Sequence, residues 1–242
     1  MTPDSFRPGP PVEPAALPVV ALVLAILGLC LPLLLLVAIV LAVISLVKSG
    51  EPAYSARKGL AIAALVIPIA LLPVIGILAA IAIPNFIKFQ SRSKQSECKT
   101  YLKAAFTGEK SWYAEHDTYS PVIGTVGFLP ERGNRYLYLF DLEGDVLDPA
   151  HPKKGEFVGV GPDTQRYPKA DAEKYRAALP LGVEVGLKGQ CPDCSITVAC
   201  VGNVDNDATL DVWSVSSEDR VGPDGRPVPA GTPMNHVDDT SQ

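Results

Sequence analysis

Three cysteines lie close together in the segment CPDCSITVAC, and their spacing is the first feature of the chain that suggests chemistry. Cys191 and Cys194 are separated by two residues, and Cys200 follows shortly after. A C-x-x-C pair serves as a redox centre, as half of a zinc site or as a structural disulfide. Redox pairs usually lie at a helix N-terminus and zinc needs four ligands, whereas this pair precedes a predicted strand and no histidine completes a regular spacing. The pattern therefore favours structural disulfides.

The pairing of these cysteines stays open at the level of sequence, because Cys98 provides a fourth candidate far upstream. One possibility is a bond between Cys191 and Cys194, and another joins Cys98 to one of the three later cysteines. In the second arrangement all four cysteines would pair.

A second candidate site is the segment NVDNDATLD, in which oxygen-bearing side chains occupy every second position. The predicted ligands are Asn203, Asp205, Asp207 and Asp211. Oxygen ligands at this spacing are typical of loops that wrap Ca²⁺, although the central glycine and final glutamate of an EF-hand are missing. The same residue types are also the usual ones for a hairpin turn. The missing glycine and glutamate favour a plain turn, and Ca²⁺ is the alternative and the one cofactor that the sequence suggests.

The sequence gives no positive sign of catalysis or of nucleic-acid binding. It contains no glycine-rich phosphate loop and no nucleophile elbow, so we expect neither an enzyme nor a small-molecule substrate. The formal net charge is −5, and no basic patch with interleaved aromatic residues occurs in the polar part of the chain. Nucleic acid is therefore not an expected partner.

The elements that must position these candidate sites are short strands in the second half of the chain. Alternation and β-branched content predict four strands, at 135–140, 156–160, 195–204 and 209–216. The last two are separated by a few turn residues and should form a hairpin. A short helix is predicted at 170–179, and residues 217–242 have the composition of a flexible tail.

The first third of the chain is strongly apolar and predicts a membrane protein. Residues 17–47 and 59–83 contain almost no charge, and each run is longer than the ~20 residues that cross a bilayer as a helix. Gly28 and Pro32 interrupt the first run, which favours a hairpin of two short helices over one kinked span. Residues 1–16 are rich in proline and are predicted to be disordered.

The polar loop within residues 48–58 carries Lys48, Arg57 and Lys58, and it sets the expected topology. Positive residues in short loops stay cytoplasmic, so the next span should run outward. We therefore expect a multi-pass protein of a bacterial inner membrane, with its C-terminal domain in the periplasm or the wider extracytoplasmic space. Disulfides form in such a compartment.

The second apolar run should continue without interruption into an amphipathic helix, so that one helix covers most of 59–120. Its polar part, from Asn85 to about His116, has a broken apolar stripe and a solvated basic face. The expected fold class is α+β, with this long helix packed on a small antiparallel sheet over residues 121–216.

A membrane helix that runs directly into an amphipathic helix and then a small sheet resembles a type IV pilin or pseudopilin. The resemblance is specific in IGILAAIAIPNF, residues 75–86, and it continues in KFQSRSKQSECKTYLKAAFTGEKSWYAEHDTYS. It is strong over about 74–120 and depends on pattern alone over 121–216. Residues 17–73 look like a small bacterial membrane domain of unknown function. Some pseudopilins of type II secretion hold calcium in a late loop, and the resemblance extends the calcium interpretation to this chain.

The chain departs from the family at its processing site. Members carry a Gly-Phe junction that is cut by a peptidase, followed shortly by a glutamate. Alignment on Gly76 places this junction at Ile62-Ala63 and the glutamate at Ile67, so both features are missing. The sequence Lys58-Gly59-Leu60 resembles a cleavage site before Leu60, but it is out of register.

The resemblance implies a non-catalytic, membrane-anchored component or accessory of a type IV pilus or type II secretion-like envelope machinery. The expected partners are the lipid bilayer and pilin or pseudopilin subunits or their assembly proteins. Because the glutamate and the junction are missing, we expect a protein that keeps its membrane anchor and does not become a regular filament subunit. One alternative is a membrane-anchored sensor or interaction protein without a filament partner. Another is a thiol-disulfide enzyme that uses the CPDC segment.

Overall fold

The computed structural model describes residues 15–28, 32–205 and 207–240, and of Pro32 and Leu33 it describes the backbone alone. The chain divides into two compact units, which meet in sequence between Pro84 and Asn85. Most of the residues predicted to be disordered, 1–14, lie outside the described residues. Ala15 does not fit that prediction, since its N–H donates to the Ala53 carbonyl at 2.8 Å.

The first unit is helical. The first apolar run forms two helices, α1 (Leu17–Leu27) and α2 (Pro32–Val47), and α1 ends at Gly28. The backbone of α2 passes so close to Gly28 that an added Cβ would lie 2.7 Å from the Leu35 nitrogen. The predicted polar loop forms a 3₁₀ turn (Lys48–Gly50) and the short helix α3 (Pro52–Ser55).

One helix, α4 (Lys58–His116), contains both the second apolar run and the amphipathic segment. It includes Pro68, Pro73 and Pro84 without ending, so the predicted continuity of this helix is confirmed. Among the described residues, α4 alone is long and apolar enough to cross a membrane. The helices α1 and α2 have 11 and 16 residues, so the prediction of several membrane crossings gains no support from them.

The second unit holds a seven-stranded sheet with the order β2-β3-β1-β5-β6-β9 and with β4 paired to β5. Its strands are β1 (Leu137–Leu139), β2 (Val146–Leu147), β3 (Gly159–Val160), β4 (Gly186–Gln190), β5 (Asp193–Gly202), β6 (Asp211–Ser216) and β9 (Met234–Val237). All of the pairs are antiparallel except β2 with β3. The predicted hairpin is β5–β6, and the predicted short helix is α5 (Ala172–Ala177).

The sheet is buried on both faces. Alternate residues of a strand point to opposite faces, and around β1 the aromatic residues Tyr136, Tyr138 and Phe140 face Leu102 of α4. Leu137 and Leu139 of the same strand face away from α4, toward Tyr175 of α5. The α+β architecture, with a long helix packed on an antiparallel-rich sheet, is therefore confirmed.

The prediction of a flexible tail after residue 216 was wrong for most of this segment. Residues 220–228 form a small hairpin of β7 (Arg220–Val221) and β8 (Pro227–Val228), and β9 is paired to β6. Gly231, with φ of +76°, lies against the Phe106 ring, where a Cβ would be 2.5 Å from a ring carbon. The segment lacks a sequence signal because its strands have only two to four residues.

Candidate functional site

The four cysteines of the second unit form two disulfides. Cys98 on α4 is bonded to Cys200 on β5, 102 residues away, and both are completely buried between the helix and the sheet. Cys191 is bonded to Cys194. The pairing that the sequence left open is thus one long-range bond and one local bond.

The CPDC segment forms the turn between β4 and β5, where Gln190 pairs with Asp193. The Thr118 hydroxyl donates to the Cys191 sulfur at 3.2 Å, and the Tyr113 hydroxyl donates to the Pro192 carbonyl. The pair therefore lies at a hairpin turn and does not occupy the helix N-terminus that lowers a thiol pKa in redox centres. This geometry favours a structural disulfide that holds the turn against the end of α4.

The predicted calcium segment connects β5 to β6 and is closed by its own side chains. Asp205 accepts a hydrogen bond from the Asp207 N–H at 3.1 Å, and Asp207 accepts one from the Thr209 N–H at 2.7 Å. The Asn203 side-chain amide donates to the Asp207 carbonyl at 2.8 Å. These are the bonds of a turn, so the turn interpretation fits the backbone, while the carboxylates of Asp205 and Asp207 remain exposed.

Asp211, the last of the predicted ligands, is not part of that loop. It is the first residue of β6 and is completely buried. Its Oδ2 accepts hydrogen bonds from the Tyr136 hydroxyl at 2.8 Å and the Trp213 Nε1 at 2.7 Å, and its Oδ1 accepts one from the Gln95 amide at 2.8 Å. Burial raises the pKa of Asp211, and these hydrogen bonds oppose that rise. Its carboxylate thus connects Gln95 of α4, Tyr136 just before β1 and Trp213 of β6 inside the core.

Asp239 takes the place that the sequence had given to Asp211. One carboxylate oxygen from each of Asp205, Asp207 and Asp239 lies within 4.8 Å of the others. Asp239 follows β9, in the segment that the sequence predicted as a tail, and it is completely buried. No local pattern marks it, because the pairing of β9 with β6 brings it to this loop.

Two cations lie beside these carboxylates, and both bind backbone carbonyls. The Lys94 ammonium on α4 donates to the Val204 carbonyl, and the Arg135 guanidinium donates to the Asn203 carbonyl at 3.3 Å. Burial and the nearby Arg135 lower the pKa of Lys94, while Asp205 and Asp239 act in the opposite direction. In the described part of the chain, no ion pair joins either cation to the three carboxylates.

Glu109 on α4 is a second buried acid that sequence reasoning missed. Its Oε2 accepts a hydrogen bond from the Ser120 N–H at 3.1 Å, while its buried Oε1 has no partner within the described chain. Burial raises the pKa of Glu109 to about 7. No local pattern in the sequence marks Glu109, because its burial depends on the segment that follows α4, from which the Ser120 N–H reaches it.

The candidate cleavage residues Gly59 and Leu60 lie in the first turn of α4. The Leu60 N–H donates to the Arg57 carbonyl at 3.0 Å, so the residues just before the helix cap this turn. Cleavage at this position stays a prediction.

The comparisons with known proteins fit this architecture. A family model described as type IV pilin PilA matches residues 89–211, from the polar half of α4 to the start of β6. The type IV major pilin protein PilA of Myxococcus xanthus (strain DK1622) is 39% identical over 194 residues. The match covers 69% of this chain and 87% of that protein. Together with the helix-on-sheet fold and the segment 75–86, these matches show that the chain belongs to the type IV pilin PilA family.

Proposed function

We propose that this protein is a membrane-anchored pilin-domain component of a type IV pilus system, which contacts pilin subunits while its own N-terminal helices stay in the membrane. Family membership supports a structural role in a pilus and contact with other pilins. The proposal adds the permanent anchor, and it assigns the protein to the base of the machinery and not to the filament shaft.

The apolar half of α4 supports membrane anchoring. From Gly59 to Ile87 the sequence contains no charged residue. At 1.5 Å per residue this stretch is about 40 Å long as a helix, which exceeds the roughly 30 Å hydrocarbon core. The folded second unit, with its disulfides, would then lie on the extracytoplasmic side.

The observation that carries the proposal is a cluster of alanines that joins three helices of the first unit. Ala21 and Ala25 of α1, Ala38 and Ala42 of α2 and Ala64 of α4 are all completely buried against one another. Small residues let helix backbones approach closely, which is how helices associate in lipid. The start of α4 is therefore packed on α1 and α2, and it would have to separate from them if it left the membrane as a free pilin helix.

Extraction of this unit would be costly. Burial of apolar surface contributes about 0.8 kcal/mol per CH₂ group, and the helices α1 and α2 consist almost entirely of apolar residues. Transfer of both helices from lipid to water would thus cost tens of kcal/mol. Release of the protein from the membrane with α1 and α2 still attached to α4 is therefore strongly unfavourable.

The residues at the processing positions also support a retained anchor. The resemblance places the family's junction at Ile62-Ala63 and its glutamate at Ile67. In the family, that glutamate is thought to pair with the free N-terminal amine during assembly. Neither charge is present at these positions, so the pairing that guides a subunit into a filament has no counterpart in α4.

Contact with pilins would use the part of α4 that follows Pro84. Phe86, Ile87 and Phe89 are exposed there, and Phe89 keeps 69% of its surface accessible. Exposed aromatic residues on a helix favour burial against another helix. A role in secretion, or as an interaction protein without a filament partner, would use the same surface with other partners and would give no pilin crosslink.

The test is a fractionation combined with site-specific crosslinking in the native strain. A photoreactive amino acid is placed at Phe89, and a matched control carries it at Leu181, which is fully exposed on a loop of the second unit. Cells are sheared, filaments and membranes are separated, and the mature N-terminus is sequenced. We expect the protein in membranes with residues 17–57 intact, and a pilin crosslink from Phe89 but not from Leu181.

Two results would overturn the proposal. Recovery of the protein in sheared filaments, with an N-terminus near Leu60, would make it a processed subunit. Membrane retention without any pilin crosslink from Phe89 would favour the interaction protein without a filament partner.

A further inference from the structure

Three carboxylates of the second unit meet at one end of the sheet. Asp205 and Asp207 lie on the β5–β6 connection, and Asp239 follows β9. One oxygen from each lies within 4.8 Å of the others. Calcium–oxygen distances are about 2.4 Å, so oxygens at this mutual separation are able to bind a single ion.

Asp239 gives an independent indication of a ligand. Its side chain is completely buried, and its Oδ2 accepts a hydrogen bond from the Val204 N–H at 3.0 Å. Its Oδ1 has no hydrogen-bond partner in the part of the chain that the structure describes, although it too is buried. A buried carboxylate oxygen without a partner is costly and calls for an explanation. A bound cation at the cluster would supply the missing partner.

The electrostatics of the cluster point the same way. The negative charges of Asp205 and Asp207 lie beside that of Asp239, so the three carboxylates repel one another. Lys94 and Arg135 offset part of the charge, but their donor atoms bind the carbonyls of Val204 and Asn203. An ion between the carboxylates would replace their mutual repulsion with attraction.

We propose that Asp205, Asp207 and Asp239 bind one Ca²⁺ ion, which fastens the segment after β9 to the β5–β6 connection. The ligands are all hard oxygens, which excludes a preference for zinc. Two of the three carboxylates are exposed, so water can complete a coordination number of 6–8, while Mg²⁺ demands a stricter octahedron and gives up its waters reluctantly. This site is independent of the proposed function, because it concerns the second unit alone.

The ion would stabilise the last strand of the sheet. β9 lies at the end of the sheet order and pairs only with β6 among the described strands. The hydrogen bond from the Val204 N–H already holds Asp239, which follows β9, against the β5–β6 connection. The ion would add links from Asp239 to Asp205 and to Asp207 of that connection. Calcium should therefore protect the C-terminal segment from local opening and from proteases.

The test uses the full chain in detergent micelles, freed of metal with a chelator and then dialysed. Binding of radioactive calcium is measured by equilibrium dialysis with excess Mg²⁺ present. We expect one Ca²⁺ per chain with a Kd of about 10⁻⁴ M, the range of extracytoplasmic sites. Asp239→Asn and Asp207→Asn should each weaken binding at least tenfold, because each removes a charged ligand.

The matched control is Asp224→Asn, which alters an exposed aspartate in the β7–β8 turn and should bind calcium as the wild type does. Near-ultraviolet circular dichroism verifies that each variant is folded. If a variant fails to fold, limited proteolysis of the wild type decides, since calcium but not Mg²⁺ should slow cleavage after β9. Absence of saturable calcium binding in excess Mg²⁺, or unchanged binding in folded Asp239→Asn, would overturn the proposal.

Discussion

Asp211 and Asp239 are two completely buried aspartates at the same end of the sheet, and they differ in their partners. Asp211 accepts hydrogen bonds from Tyr136, Trp213 and Gln95, and these occupy both of its oxygens. Asp239 accepts one bond, from the Val204 N–H, and keeps one buried oxygen without a partner among the described residues. Burial raises the pKa of both carboxyl groups.

Burial of an acid therefore has two distinct consequences for stability, which depend on the number of its hydrogen-bond donors. A carboxylate with several donors is a completed structural element, and its removal leaves buried donors without partners. A carboxylate with one donor and acidic neighbours is destabilising unless a proton or a cation neutralises it. The same substitution at the two positions should therefore have opposite effects.

The largest effect is expected for Asp211→Asn. The new amide group faces donors on α4, just before β1 and on β6, so at least one buried donor loses its acceptor. We expect the free energy of unfolding to fall by about 3 kcal/mol, which corresponds to a Tm lower by roughly 6–12 °C. Thermal unfolding of the detergent-solubilised chain, followed by near-ultraviolet circular dichroism, measures this change. Exposed Asp219→Asn is the control, and an unchanged Tm for Asp211→Asn would show that the network contributes little.

Asp239→Asn is expected to change the free energy of unfolding in the opposite direction. In the presence of a chelator at pH 8 the wild-type carboxylate is ionised and repelled by its neighbours, whereas the amide keeps one acceptor for Val204. We expect a gain in stability of about 2 kcal/mol, or a Tm higher by roughly 4–8 °C. Added calcium should raise the Tm of the wild type but not that of this variant. If Asp239→Asn had a lower Tm than the wild type in the presence of the chelator, the predicted contrast between the two aspartates would be wrong.

A somewhat smaller effect is expected from Glu109, which resembles Asp239 in having a buried oxygen without a described partner. Burial raises its pKa from 4.5 to about 7, so the protonated form is favoured in the folded state. Protonated Glu109 therefore contributes to the stability of the folded state. This contribution is fully present below pH 4.5 and is lost as the pH rises through 7, the raised pKa of Glu109.

The measurement is the Tm between pH 5 and pH 8 in saturating calcium, which keeps Asp239 neutralised by the ion. We expect the wild type to lose about 1–2 kcal/mol over this range, and Glu109→Gln to show a flatter profile. Glu115→Gln, an exposed acid on the same helix, is the matched control. If the Tm of the wild type and that of Glu109→Gln changed equally with pH, the Glu109 carboxyl would not have the raised pKa that its burial indicates.

The smallest effect is expected for Lys94→Met. The substitution removes a cation beside Asp205 and Asp239 and frees the Val204 carbonyl, while it keeps the apolar stem. We expect calcium affinity to rise by about threefold at low salt, with a smaller gain at high salt. Lys103→Met, an exposed residue of the same helix, serves as control. Weaker calcium binding in Lys94→Met would show that the lysine orders the loop more than it repels the ion.

The local elements of this protein could be predicted from the sequence, because their signals are contained in a few neighbouring residues. Charge-free runs indicated the helices of the first unit, and β-branched alternation indicated β5 and β6. The segment 75–86 and its continuation to about residue 120 indicated the family, which the matches to known proteins then showed. The weak points were elements without periodicity, above all β9, whose four residues are fixed by pairing with β6 and by no preference of their own.

The candidate site divides in the same way. Patterns along the chain already predicted that CPDC and the acidic run lie beside strands, that one helix passes from an apolar to a polar segment, and that the fold is α+β. The three-dimensional fold was needed to show that Cys98 pairs with Cys200, that Asp211 belongs to the core, and that Asp239 joins Asp205 and Asp207. The physical reason is that side-chain pattern fixes local geometry, whereas burial and partners depend on contacts between residues that are distant in the chain.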